Sequence, residues 1–75
     1  MVKKEEENSL ISLATRIKEL RSAKGVTQEE AYNDTGIHFG RIEQGKRDAS
    51  FTTIKKISTY LGVTLEEFFR KGFDQ

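Results

Sequence analysis

Two short stretches limit this chain more than any other feature: GVTQEE at residues 25–30 and GVTLEE at residues 62–67. In each, a threonine is followed three residues later by a glutamate, Thr27 with Glu30 and Thr64 with Glu67. That spacing is a capping box, in which each side chain satisfies a backbone amide that a helix start leaves without a partner. Just ahead of each box stands a glycine, Gly25 or Gly62, of the kind that ends a preceding helix. Each stretch therefore stops one helix and starts another. With 75 residues in all, the chain is left with short helices around one small core.

Apolar spacing supplies the remaining elements. Residues 1–8 are polar and charged except for Val2 after the initiator. They read as a frayed tail, with the folded domain expected over 9–72. Asn8 or Ser9 can cap a first helix whose stripe is Leu10, Leu13, Ala14, Ile17 and Leu20, ending near Lys24. The second helix, opened by Thr27, is expected to be short, because NDTG follows it. Asp34 and Thr35 are both N-cap types and Gly36 breaks a helix interior. A third helix is therefore expected at about 35–44, with Gly45 as its stop. Ser50 caps a fourth helix over 51–61, with Phe51, Ile54, Ile57 and Leu61 spaced for one face and Gly62 at its end. LEEFFR makes a short fifth helix that stops at Gly72. No strand-like alternation persists and there is no proline, so the fold class is all-α, a compact five-helix bundle.

Composition excludes several function classes. There is no cysteine and a single histidine, which removes disulfides, thiolate metal sites and histidine-based zinc sites. No nucleophile–base pair or phosphate-cradling glycine motif is present, so neither an enzyme nor a cofactor is expected, and no small-molecule ligand is predicted. No apolar run approaches spanning length and the N-terminus lacks a signal peptide's apolar stretch. The expectation is a cytoplasmic protein without a membrane partner. Net charge is only +1, but its distribution is uneven. Arg16, Lys18, Arg21 and Lys24 stand against Glu19, and Arg41, Lys46 and Arg47 against Glu43, while acids gather at 5–7, 29–30 and 66–67. Such asymmetry can put a basic face on a nearly neutral protein.

Two short helices joined by a tight turn and followed by a basic loop suggest a helix-turn-helix, in which the second helix enters the major groove. The order IKELRSAKGVTQEE, then GIHFGRIEQGKR, then TIKKISTYLGVTLEEFF resembles the Cro/phage-repressor-like (XRE) helix-turn-helix family over roughly residues 13–69. The resemblance implies a lambda-repressor-like five-helix DNA-binding domain with helices 2 and 3 as the helix-turn-helix. It also implies a sequence-specific transcriptional regulator whose partner is double-stranded DNA. One departure is plain. In most of the family the segment corresponding to Gln28–Glu43 is about one helical turn longer. The caps in DTG suggest that the turn was tightened here and the recognition helix kept.

Candidate DNA-facing residues follow. Phe39 and Ile42, three apart and apolar, should face the core. Gly36, Ile37, His38, Gly40 and Arg41 are then the base-facing candidates. Arg41 can hold both acceptors of a guanine edge or a phosphate. His38 can donate to a base or phosphate, or be a capping residue without a ligand. Ile37 can touch a thymine methyl or pack against helix two. Gly36 and Gly40 have no side chain to read with and would let backbone approach the groove. Thr27 and Gln28 at the start of helix two, Lys46 and Arg47 in the following loop, and Ser50 and Phe51 at the start of helix four are the phosphate candidates. Lys18, Lys24, Lys55 and Lys56 are weaker phosphate candidates that read first as solvated lysines. The resemblance further implies that Glu43 pairs with Arg21, tying helix one to helix three.

Phe68, Phe69 and Phe73 fall within six positions. A domain this small can bury one or two of them and leave the third for a dimer patch. Family members commonly dimerise through this end, so a homodimer is expected. The alternative function is an antitoxin-like or adaptor protein-interaction module on the same scaffold.

Overall fold

The structure is a computed structural model, and it describes residues 3–74. Five helices follow in order: α1, Lys3–Lys24; α2, Gln28–Thr35; α3, Phe39–Ile42; α4, Phe51–Leu61; and α5, Leu65–Phe68. Helix α1 packs on α3 and α4, α2 on α3, and α4 on α5. The core where they meet is Leu13, Ile17, Ala31, Phe39, Ile42, Ile57, Leu61 and Phe68. The caps expected at Thr27, Ser50 and Thr64 are built. Thr27 and Thr64 each make the reciprocal capping box, and the Ser50 side chain accepts from the Thr53 amide.

Four boundaries differ from the sequence reading: the start of α1, both ends of α3, and the end of α5, which stops at Phe68 rather than at Gly72. The first helix begins at Lys3 rather than near Ser9, so residues 3–8 are not tail; Met1 and Val2 lie outside the described residues. The physical reason is electrostatic. Glu5 and Glu6 fall in the first turn, where acids face the positive end of the helix dipole. Lysine and glutamate are also good helix formers and need no core contact to extend a helix already nucleated.

The larger difference lies between α2 and α3. Neither Asp34 nor Thr35 starts a helix. Thr35 Oγ1 donates to the Ala31 carbonyl (2.7 Å) and accepts from the Ile37 amide (3.0 Å), which closes α2. Asp34 Oδ2 accepts a 2.7 Å hydrogen bond from the Tyr60 hydroxyl. Gly36 is the C-cap of α2, with φ at +76°, and its amide donates to the Tyr32 carbonyl. Glycine adopts that left-handed conformation without the steric penalty of a Cβ. The third helix therefore spans Phe39–Ile42 and not 35–44. The expectation that the recognition helix was kept is not met: α3 is a single turn, whereas α2 spans Gln28–Thr35.

Arg16, counted with the basic cluster in the sequence, is an interior residue at 8% exposure. Its Nε donates to the Phe68 carbonyl (2.7 Å) and its Nη2 to the Glu67 carbonyl (2.6 Å). These are end carbonyls of α5, and that of Glu67 also accepts from the Arg70 amide (3.2 Å). One α1 side chain thus closes α5.

Candidate nucleic-acid interface

The site is organised around Glu43, the residue just past α3. Its side chain is only 3% exposed and it accepts three hydrogen bonds. Arg21 Nε and Nη2 reach it from α1 at 2.7 and 3.0 Å. Gln28 Nε2 reaches it from the first turn of α2 at 3.0 Å. Arg21 also donates through Nη1 to the Val26 carbonyl, so its guanidinium spans the α1–α2 turn as well. The hydrogen bond to Glu43 is the main reason the Arg21 pKa is raised, with the carboxylate's charge adding to it and burial opposing it. The expected Arg21–Glu43 pair is present. Gln28 is an additional member of the network.

Gly40 explains how Gln28 gets there. A Cβ on Gly40 would lie 3.2 Å from Gln28 Oε1 and 3.6 Å from Gln28 Cδ. In this fold the glycine makes room for the glutamine side chain over α3.

Around this anchor the candidate residues separate. Phe39 and Ile42 are buried in the core at 0% and 7% exposure, as their spacing required. Ile37 is half-buried and packs on the core. Gly36 belongs to the end of α2 and not to α3. Arg41 is exposed and is the only residue of Phe39–Ile42 with an exposed polar side chain. His38 is the N-cap of α3 but makes no side-chain capping bond. Its ring instead stacks on Tyr32, centroids 4.4 Å apart and planes 28° apart. Tyr32, on α2, carried no assignment in the sequence. The pair is joined across a turn, where no helical or strand period links residues 32 and 38.

The remaining basic and capping candidates are at the surface. Lys46 and Arg47 are exposed in the loop after α3. Among the described residues neither they nor Arg41 forms an intramolecular ion pair. Thr27 and Gln28 open α2, where the capping box occupies the amides of Thr27 and Glu30. Ser50 and Phe51 open α4, with the Phe51 ring 65% exposed. Lys24 does not extend the basic face freely, because its Nζ sits 5.1 Å from the centroid of the Tyr60 ring.

At the opposite end, Phe68 is fully buried, which removes it from the dimer candidates: it is the residue α5 contributes to the core. Phe73 is half-buried against that core and Phe69 is 43% exposed. The three rings form one cluster, with Phe69 5.0 Å from Phe73. Among the described residues no group of three or more metal-ligating side chains converges. No described helix is long and apolar enough to cross a membrane.

Comparison with known proteins agrees with this arrangement. A helix-turn-helix family model matches residues 17–68. The control protein C.MunI of Mycoplasma sp is 33% identical over 63 residues, covering 79% of this chain and 85% of the relative. No solved structure matches significantly. The chain belongs to the Cro/phage-repressor-like (XRE) helix-turn-helix family and is a DNA-binding transcription regulator, not an enzyme.

Proposed function

We propose that the chain recognises a specific DNA sequence as a homodimer in the cytoplasm, with Arg41 as its principal base-reading residue. The observation that carries this reading is the position of Arg41. It is the exposed polar side chain on a helix fixed to α1 and α2 through the Arg21–Glu43–Gln28 network. A guanidinium held on a rigid element can take both acceptors of a guanine edge. His38 lies at the start of the same turn, where its carbonyl accepts from the Arg41 amide, and flanks the base Arg41 takes.

Phosphate contacts set the register. The amides of Gln28 and Glu29, outside the capping box, and the second side-chain amide hydrogen of Gln28 serve one phosphate, with Thr27 beside them. Lys46 and Arg47 serve another. The amides of Ser50 and Phe51, at the start of α4, serve a third. Gly40 contributes indirectly, by admitting Gln28. A regulatory role fits the description of the related chain as a control protein. Dimerisation through Phe69 and Phe73 would pair two such units on half-sites about one DNA turn apart.

Selection of bound duplexes from a random pool tests the proposal. A palindromic motif with a guanine at a fixed place in each half is the expected result. Recovery of no motif, or of one without symmetry, overturns it.

A further inference from the structure

Helix α3 offers little to read with. Of its four residues Phe39 and Ile42 are buried, Gly40 has no side chain, and only Arg41 remains. A single residue distinguishes few base pairs, so further contacts must come from next to α3. His38, the N-cap residue of α3, is exposed, and its ring stacks on the exposed Tyr32 of α2. Tyr32 is one of the few large apolar side chains left substantially exposed, at 42%.

Both rings are held in place. The Tyr32 carbonyl accepts from Gly36 at 2.7 Å, in the closing turn of α2. The His38 carbonyl accepts from Arg41 at 3.1 Å and Ile42 at 3.3 Å, in the opening turn of α3. Each backbone is thus fixed by a helix end, and the stack joins the two ends across the turn. A rigid aromatic surface costs little conformational entropy to order on binding.

We propose that Tyr32, positioned by its stack on His38, is a specificity-determining residue that takes the C5-methyl of a thymine beside the base pair read by Arg41. The pair does the work that a longer helix would do with its first turn. Of the base edges in the major groove, thymine alone presents a methyl group, and Tyr32 is a large apolar side chain left exposed, its ring stacked on the N-cap residue of α3. This inference rests on the DNA-reading proposal above and adds to it a residue from α2.

The test is a methyl scan. Within the selected duplex, each thymine is replaced in turn by deoxyuridine, which removes only the methyl. The wild-type chain should lose about fourfold in affinity at one thymine per half-site, the fold-change that follows from burying a single methyl group. Tyr32→Ala should abolish the difference at that position, Tyr32→Phe should retain it, and His38→Ala should reduce it. The Tyr32→Ala and His38→Ala losses should be less than additive, because the two rings act as one unit. Circular dichroism melts of the same variants should be close to wild type, since both side chains are exposed. Equal weakening of every duplex by Tyr32→Ala, a methyl penalty that persists in that variant, or no penalty anywhere in the wild-type scan each overturn the inference. A wild-type chain that binds no duplex overturns the DNA-reading proposal itself, a different result from any of these.

Discussion

Glu43 is an acid two residues beyond Arg41, and it is tolerated because its charge is already answered by Arg21 and Gln28. With the Glu43 side chain 3% exposed and that of Arg21 12% exposed, removing either leaves a largely desolvated partner. Glu43→Ala or Arg21→Ala should each cost about 3 kcal/mol in urea unfolding, and the double variant should cost well below the sum of the two singles. Gly40→Ala should behave differently. The added Cβ meets the far end of an exposed side chain, so Gln28 can give way, and the gain in helix propensity offsets the contact. Melting should change little while DNA affinity falls, because Gln28 is displaced from Glu43. The Arg21–Glu43 pair was legible in the sequence through family resemblance. The part played by Gln28 was not, since a glutamine reaching over a glycine leaves no periodic trace.

At the scale of elements, the ends were readable wherever a local code writes them. Thr27, Ser50 and Thr64 each sit one residue ahead of a helix and cap it. The start of α3 departs from the local pattern because Asp34 and Thr35 have N-cap chemistry but use it elsewhere, Asp34 on Tyr60 and Thr35 on Ala31 and Ile37. The first of these bonds is tertiary and invisible to local pattern. Its mark is the Tyr60 phenol, whose pKa is pushed up to about 12, first by the hydrogen bond to Asp34, then by burial and by nearby acids. The cap of α5 carries a pH signature of the opposite sign. Hydrogen bonds from the Thr64 amide and hydroxyl hold Glu67 below its ordinary carboxylate value. A folded-state pKa that is lowered stabilises above the unfolded value, near about 4.3, and that stability is lost as pH falls through the folded value. The melting temperature of the wild-type chain should therefore drop more steeply than that of Glu67→Gln in a titration from neutral pH to about pH 3.

For the whole molecule, a small core buries one of the clustered C-terminal aromatic residues and leaves another at the surface. Phe68 is fully buried and Phe69 substantially exposed. Phe68→Ala should cost about 3–5 kcal/mol, as much stability as a domain of this size commonly has, and should appear as loss of the cooperative melt. Phe69→Glu should keep the melt but shift sedimentation from dimer to monomer; a dimer that survives this change places the interface elsewhere. The all-helical bundle and its core face were legible because helical spacing and caps repeat along the chain. The aromatic division was not, because three phenylalanines within six positions satisfy several packings equally.

On the proposed reading, one exposed arginine, Arg41 on the one-turn helix α3, reads the guanine. Titration of a labelled duplex carrying the selected site, over rising salt, with wild type and Arg41→Ala, tests it most directly. Wild-type affinity should fall linearly on a log–log plot, as phosphate neutralisation releases counterions. Arg41→Ala should keep salt-dependent binding but no longer distinguish the site from a duplex with the guanine replaced. Salt-independent binding, or a variant that still selects the same guanine, would contradict the account.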